Sequence, residues 1–246
     1  MNSVRSILAR NFDPSFGPPK GTLFCTPGSD LEKLALAETS TDADEDSTCS
    51  DAAREMAVAA RKEARKLLTM PFATRQTILN AVADALIERK SELLQANTMD
   101  LENAARTNVD AQLVKRLKLT DEKIKNLESG IRQLAGVKDP LGVVQTHREL
   151  ADGLELSKIT VPIGVLMIIF ESRPDSLPQI ASLALASGNG LLLKGGKEAA
   201  HSNTALHDII GDAIEKGSNG EISRDIIGLV TSRGQIKELL SLDGKL

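Results

Sequence analysis

The chain has 246 residues, of which 41% are hydrophobic and 26% charged, an ordinary globular composition that suffices for one large domain or two small ones. The formal net charge of −4 argues against nonspecific nucleic-acid binding, and an aromatic content of 2% argues against base-stacking platforms. No apolar run approaches the roughly 20 residues that a membrane-spanning helix needs, so we expect neither nucleic acid nor a membrane as a partner.

Residues 1–51 are predicted to form a disordered extension that ends in an acidic linker. Prolines interrupt any helix there, and the last residues of the segment are rich in Ser, Thr, Asp and Glu. Arg5 and Arg10 flank a short apolar stretch that weakly resembles an organelle-targeting sequence. Cys25 and Cys49 form no disulfide framework and fit a reducing compartment. We therefore expect a cytoplasmic protein, with plastid or mitochondrion as the alternatives.

Residues 52–140 are predicted to be helical. The segment 52–68 consists largely of strong helix formers, and a second helix is predicted at 75–97. The apolar residues of that second helix lie on one face: Leu79, Val82, Leu86 and Leu93. Thr120 is a candidate N-cap for a further helix that ends at Gly136. These apolar faces predict packing surfaces and carry no chemistry of their own.

Residues 141–161 are predicted to form a β-hairpin. The segments 142–150 and 154–161 bracket Asp152 and Gly153, and an Asp-Gly step suits a hairpin turn with positive φ. A hairpin that projects from the edge of a domain could pair with another subunit. The hairpin is therefore a candidate for contact with another subunit.

Residues 162–246 are predicted to alternate strands and helices. Continuous apolar runs at 164–170, 190–193 and 226–230 are typical of buried parallel strands. Two crossovers between such strands predict part of a doubly wound parallel sheet, which is an α/β fold. Because sheets average about five to six strands, we expect the chain to be incomplete at its C-terminus.

The helices of this region carry start signals. Asp175 or Ser176 is predicted to cap the first of them, and the next helix is predicted at 197–216. Ser232 and Gln235 are predicted to form a capping box for the last helix.

Polar residues follow two of the apolar runs at the point where each strand should end. Glu171, Ser172 and Arg173 follow the first run, and Lys194 with two glycines follows the second. Ligands bind open α/β sheets beyond the carboxyl ends of the strands, so these residues predict a binding site. Arg173 could hold a carboxylate or phosphate, or form a structural ion pair with Glu171.

Two glycines after Lys194 would let the backbone approach a phosphate or ribose hydroxyl near a helix N-terminus. A plain turn is an equal alternative for this motif. The sequence contains neither a GxGxxG fingerprint nor a GxxxxGK[ST] loop, so an ordinary Rossmann or P-loop site is not expected. The histidines have no metal-site spacing, and we expect no metal.

The segments VPIGVLMIIFESRPD and SGNGLLLKGGKEA resemble gamma-glutamyl phosphate reductase, also called glutamate-5-semialdehyde dehydrogenase. The reductase half of plant-type delta-1-pyrroline-5-carboxylate synthase is most similar. The resemblance begins near Ala53 and reaches Arg233 through these further segments: AREMAVAAR, RQLAGVKDP, ADGLEL and IGLVTSR.

This resemblance implies an aldehyde-dehydrogenase-like fold over residues 52–246, and the reduction of L-glutamyl 5-phosphate with NADPH to L-glutamate 5-semialdehyde in proline biosynthesis. A cysteine thiolate of the family attacks the acyl phosphate, and the thioester then accepts hydride. The family places that cysteine beyond Leu246, so the resemblance implies no catalytic nucleophile in this chain and no activity of the chain alone. The resemblance also implies a homo-oligomer for the full-length family. The alternatives are a noncatalytic oligomerisation fragment and a nucleotide-binding fragment.

The resemblance also implies roles for residues at the two strand ends. Ser172 would stabilise an oxyanion, and Arg173 with Glu171 would lie at the substrate. The remaining candidates would bind the cofactor through the ribose, the close backbone approach, the 2′-phosphate of NADPH or the adenine side: Lys194, Gly195, Gly196, Lys197, Glu198 and Ser232.

Overall fold

The computed structural model describes residues 46–232 and 234–240, with side chains from residue 52 onward. Nearly all of the predicted extension at 1–51 therefore lies outside the described residues. Helix α1 spans Asp46–Thr69 and begins six residues before the predicted helix at 52–68.

The predicted helix at 75–97 is two helices, α2 at Phe72–Glu88 and α3 at Lys90–Arg106. Arg89 joins them with φ −101° and ψ 22°, outside the helical region. Its guanidinium binds Glu92 at 2.7 Å and Asp212 at 2.7 Å, which fixes this corner against a distant helix. The predicted apolar face is nevertheless confirmed across the break, since its four residues are all buried: Leu79, Val82, Leu86 and Leu93.

Two more helices complete the region before the strands. Helix α4 spans Ala111–Leu117 and helix α5 spans Asp121–Ala135. The predicted cap of α5 is confirmed, because Lys123 N donates to the side-chain oxygen of Thr120 at 3.2 Å. The backbone N–H of Gly136 closes the last turn of α5.

The predicted hairpin is confirmed as an antiparallel pair. Strands β1 (Val144–Ala151) and β2 (Leu154–Ile159) are joined at Gly153, whose φ of +72° suits glycine. Nearly every residue of the pair is exposed, including its large apolar side chains.

The second sheet is parallel, with strand order β3-β4-β5, as the alternating pattern predicted. Its strands and helices follow in chain order as β3 Val165–Ile169, α6 Ser176–Ala186, β4 Gly190–Lys194, α7 Ala200–Gly217, β5 Ile227–Leu229 and α8 Gly234–Leu240. Short 3₁₀ turns at Lys197–Ala199 and Arg224–Ile226 precede α7 and β5. The predicted helix at 197–216 therefore begins with a 3₁₀ turn.

Both faces of this sheet are covered. Leu191 and Leu193 on β4 pack into the main core with α2, α6 and α7, whereas Leu192 packs on the other side against Ala57 and Ala60 of α1. A strand buried on both faces needs apolar side chains in both directions, which explains the continuous apolar run. Within the part of the chain that the structure describes, no helix combines the length and apolarity needed to cross a membrane.

Candidate functional site

The segments that follow β3 and β4 meet at the carboxyl edge of the sheet, as predicted. Phe170 N donates to Lys194 O at 3.0 Å, and Ser172 Oγ lies 3.5 Å from the Glu198 carboxylate. A Cβ atom placed on Gly196 would lie 3.2 Å from Ser172 N, so the two backbones run side by side. The two polar motifs of the sequence therefore form one site.

Ser172 is the conformationally constrained residue of the first segment. It is buried and has a φ of +38°, in a region that residues with a Cβ atom seldom adopt. Arg173 is exposed and pairs with Asp175 at 3.7 Å, so its ion pair is formed with Asp175 instead of Glu171. Glu171 is also exposed, beside these residues.

Asp175 occupies the N-cap position of α6, but its side chain makes no capping hydrogen bond. Its φ of −61° is already helical, so the carboxylate does not face the first N–H groups of the helix. The predicted capping role of this residue is therefore wrong. Its Oδ1 atom is buried without a hydrogen-bond partner among the described residues.

The segment after β4 forms one wall of a cavity of about 140 Å³. Four predicted cofactor residues line it: Lys194, Gly195, Gly196 and Lys197. Lys194 is buried, and its Nζ donates to Gly195 O at 2.7 Å, whereas Lys197 is exposed. The strand β5 side of the cavity is formed by Leu229, Val230 and Thr231.

The other two predicted cofactor residues are not part of the cavity lining. The carboxylate of Glu198 faces Ser172. Ser232 follows the lining residue Thr231 and forms the predicted capping box, in which Gln235 N donates to Ser232 Oγ at 3.3 Å and Ser232 N donates to Gln235 Oε1 at 3.1 Å.

The sequence suggested that a helix N-terminus after Lys194 could hold a phosphate, but in the structure the N-terminus of α7 is bonded to another helix. Asp100 on α3 accepts hydrogen bonds from His201 N at 3.0 Å and from Ser202 N at 2.7 Å. These two donors are therefore taken by a buried carboxylate of the protein and are not available to a phosphate. Sequence reasoning missed Asp100, although one signal was present: Asn97 and Asp100 interrupt the apolar stripe of α3 at buried positions.

Asn203 is a second residue that sequence reasoning missed. It lies on the first turns of α7, lines the cavity and is buried. Its Oδ1 has no hydrogen-bond partner among the described residues. A Cβ atom on Gly195 would lie 2.2 Å from Asn203 Nδ2, so a larger residue there would displace the Asn203 side chain. The cavity therefore has a polar group that a ligand can satisfy.

A larger cavity of about 600 Å³ lies between α5 and α6. Its α5 side includes Leu127 and Ile131, and its α6 side includes Asp175 and Ser182. Over the described residues, no three His, Cys, Asp or Glu side chains are grouped in a way that could hold a metal ion.

Ion pairs shift the pKa values of three residues in the helical region. The Glu92 carboxylate accepts hydrogen bonds from the Arg89 guanidinium, which raises the pKa of Arg89 and lowers the pKa of Glu92. The Arg132 guanidinium donates hydrogen bonds to Glu128 and Asp84, which raise its pKa. The pair of Arg132 and Asp84 joins α5 to α2, whereas the pairs with Glu92 and Glu128 are local in the sequence.

Comparison with known proteins gives consistent matches. The sequence model of the Aldehyde dehydrogenase family matches residues 38–241. The chain is 49% identical over 191 residues to Delta-1-pyrroline-5-carboxylate synthase A of Arabidopsis thaliana, covering 78% of this chain and 26% of that protein. It is 46% identical over 170 residues to Gamma-glutamyl phosphate reductase of Prochlorococcus marinus (strain MIT 9303), covering 69% of this chain and 38% of the relative.

Solved structures agree with these sequence matches. The crystal structure of Gamma-glutamyl phosphate reductase from Thermotoga maritima superposes with a TM-score of 0.71 at 33% identity, over 76% of this chain and 45% of that one. The chain therefore spans between about a quarter and just under half of the length of these relatives.

Proposed function

Because the chain belongs to the aldehyde dehydrogenase family, we propose that it is part of a gamma-glutamyl phosphate reductase. This oxidoreductase, also called glutamate-5-semialdehyde dehydrogenase, reduces L-glutamyl 5-phosphate to L-glutamate 5-semialdehyde in proline biosynthesis. The names of the relatives and of the solved neighbour support the assignment. The observation that carries it is the convergence of Ser172 and the Gly195-Gly196 segment at one edge of the sheet.

Members of this family use nicotinamide cofactors, and we assign NADPH as the cofactor here. The cavity beside β4 suits part of an adenosine end, because Asn203 holds a buried acceptor that a ribose hydroxyl or an adenine amino group could satisfy. Gly195 and Gly196 line the same cavity. When bound, the cofactor supplies the hydride that reduces the acyl group.

The charges around this cavity favour NADPH over NADH. Lys197 lines the cavity with an exposed ammonium group that can pair with a 2′-phosphate. Glu198 faces Ser172 and lies outside the cavity lining. A carboxylate at the ribose accepts hydrogen bonds from the 2′-hydroxyl of NAD and repels a 2′-phosphate. Because the Glu198 carboxylate is not part of the cavity lining, the cavity favours NADP.

At the reacting end, the chain's own residues would hold the substrate. Ser172 is buried at the strand end with its hydroxyl near Glu198, and it would donate toward the oxygen that becomes negative when the acyl group is attacked. Arg173 is exposed beside it and would pair with the phosphate of the substrate. Glu171 is exposed beside this arginine.

Cofactor binding by the 246-residue chain tests this assignment. The chain contains no Trp or Tyr, so NADPH fluorescence can be followed without background from those residues. For Lys197→Ala, we expect the Kd for NADPH to rise at least about tenfold, which corresponds to a loss of about 1.4 kcal/mol for one charge-assisted contact. We expect the Kd for NADH to be unchanged.

Lys158→Ala is the matched control, because Lys158 is an exposed lysine on the hairpin strand β2. This variant should keep the affinity of the original chain. Failure of the original chain to bind NADPH, or an equal loss of NADPH and NADH affinity in Lys197→Ala, would refute the assignment of the cavity.

We also propose that the hairpin of β1 and β2 pairs copies of the chain into a homo-oligomer. Its large apolar side chains, including Leu154, Leu156 and Ile159, are exposed. Such a surface favours association, and it keeps a noncatalytic oligomerisation role open as the second candidate function. Light scattering tests this idea: Leu156→Lys should lower the mass in solution, and an unchanged oligomer would count against the hairpin.

The proposed compartment is the cytoplasm, with plastid or mitochondrion as the alternatives. A fluorescent protein fused to the C-terminus of the chain tests this, because such a fusion leaves the N-terminal residues free. Diffuse fluorescence is expected, and fluorescence confined to an organelle would contradict the proposal.

A further inference from the structure

The carboxylate of Glu198 lies at the edge of the small cavity beside β4. The residues around it in the sequence, Gly196, Lys197 and Ala200, line that cavity, whereas Glu198 does not. A Cβ atom on Gly196 would lie 2.5 Å from Glu198 Oε2, so the carboxylate rests against a lining residue. Glu198 is exposed and has room to turn. A change of its side-chain rotamer would therefore bring a negative charge to the cavity.

A single hydroxyl group holds this carboxylate in its present direction. Ser172 Oγ donates to Glu198 Oε2 at 3.5 Å, which is a long O–H···O hydrogen bond. Among residues 52–232 and 234–240, Glu198 makes no other hydrogen bond and no ion pair with a lysine or an arginine. The direction of the carboxylate therefore depends on Ser172, and it depends on one weak contact.

Ser172 is itself fixed beside Glu198. It is buried, its backbone has a φ of +38°, and its N atom would lie 3.2 Å from a Cβ atom on Gly196. Because a hydroxyl carries one proton, Ser172 can donate to one acceptor at a time. The oxyanion that it would stabilise exists only once the acyl group is attacked. During cofactor binding the hydroxyl is therefore available to hold Glu198.

The turn before α7 sends two opposite charges in different directions. Lys197 and Glu198 are consecutive residues of a 3₁₀ turn, which has three residues per turn, so their side chains leave the backbone about 120° apart. Lys197 lines the cavity, and Glu198 turns toward Ser172. A cation without a neighbouring carboxylate attracts a 2′-phosphate. A carboxylate that swung into the cavity would repel that phosphate and accept a hydrogen bond from a 2′-hydroxyl.

We propose that Ser172 sets the preference for NADPH over NADH by holding the Glu198 carboxylate away from the cofactor ribose. Ser172 is in this respect a positioning residue, because it acts on the cofactor through Glu198. The inference rests on the proposed function, since it takes a nicotinamide dinucleotide as the ligand of the cavity. It adds a second determinant of cofactor choice to the charge of Lys197, and this determinant lies outside the cavity lining.

Titration of the full chain with NADPH and with NADH, followed by nicotinamide fluorescence, tests the role of Ser172. In Ser172→Ala the carboxylate loses its hydrogen-bond donor and is released. We expect the Kd for NADPH to rise and the Kd for NADH to fall, so that their ratio changes at least about fivefold. This change corresponds to about 1 kcal/mol, the net contribution of a typical hydrogen bond. A general loss of structure would weaken both cofactors and would not produce opposite changes.

Further variants separate this role from folding. Ser172→Gly also removes the hydroxyl, and glycine tolerates a φ of +38°, so the same shift should appear in a chain without backbone strain at this position. In a Glu198→Gln chain, Ser172→Ala should change the ratio by less than about twofold, because no charge is left to release. Ser182→Ala is the matched control, since Ser182 is a buried serine on α6 outside the lining of the small cavity. It should keep the original ratio.

The same titrations distinguish this inference from the proposed function. If the original chain prefers NADPH and both Ser172 variants keep its ratio, the inference is refuted and the cofactor site stands. An equal loss of both cofactors in these variants, or a full shift in the Glu198→Gln background, would also overturn it. If the original chain binds neither cofactor, the proposed function and the inference fail together.

Discussion

Replacing Asp100 with alanine should destabilise the chain and weaken the cofactor cavity together. The carboxylate is only 1% exposed and accepts hydrogen bonds from two backbone N–H groups at the start of α7. In Asp100→Ala both groups lose their acceptor, and the space left is too far inside for bulk water to compensate fully. The same turns of α7 carry Asn203 and Thr204 to the cavity.

The magnitude follows from these two contacts. A hydrogen bond to a charged group contributes about 1.5 to 3 kcal/mol, and removal of the carboxylate returns part of the cost of burying it. We therefore expect a loss of about 3 to 5 kcal/mol in the free energy of unfolding. Asp100→Asn keeps one acceptor oxygen and turns an N–H donor toward the other backbone group, so its loss should be about 2 kcal/mol.

Urea unfolding of the full chain, followed by far-ultraviolet circular dichroism, measures these losses. Lys216→Ala is the control on the same helix, since Lys216 is exposed and should change the stability by less than about 0.5 kcal/mol. In the Asp100→Ala chain, NADPH should also bind more weakly. A loss below about 1 kcal/mol for Asp100→Ala would refute the reasoning that this carboxylate caps α7.

Two further predictions concern the scaffold. Gly190→Ala should cost about 1 to 3 kcal/mol in urea unfolding, because the new Cβ would lie 2.7 Å from Ala60 O, whereas Gly130→Ala has open space and should not destabilise. The hydrogen bond from Arg89 lowers the pKa of Glu92, so it stabilises the fold above the usual carboxyl pKa of about 4.3. That contribution is lost as the pH falls through the lowered pKa. The stability gap between the original chain and Glu92→Gln should therefore shrink from pH 6 to pH 3, and a constant gap would contradict this assignment.

Much of the fold could be predicted because local patterns determine it. The apolar spacing in α2 reflects a single buried face, and the continuous run of β4 reflects burial on both faces. The caps formed by Thr120 and by Ser232 with Gln235 join residues only three apart, so a short stretch of sequence is enough to predict them. Polar residues at two strand ends were also predicted to meet, because parallel strands end at the same edge.

The missed features all depend on partners far away in the sequence. Arg89 interrupts the predicted helix where its side chain binds Asp212 on α7, 123 residues later. Asp100 serves α7 across 101 and 102 residues, and no local spacing indicates such a contact. The unsatisfied oxygens of Asn203 and Asp175 likewise depend on what surrounds them in space. Periodicity reveals that a position is buried but does not reveal its hydrogen-bond partner.

The segment between the two cavities has little freedom to move. Phe170 N is held by Lys194 O at 3.0 Å, Ser172 is buried at a φ of +38° against Gly196, and Pro174 is buried. A ligand can shift an equilibrium only if it distinguishes two conformations, and a segment held at each of these points offers one. NADPH and L-glutamate, which carries the carbon skeleton of the proposed substrate, should therefore bind independently. Saturating NADPH should change the Kd of L-glutamate by less than about twofold, since coupling above roughly 0.4 kcal/mol would need a second conformation of this segment.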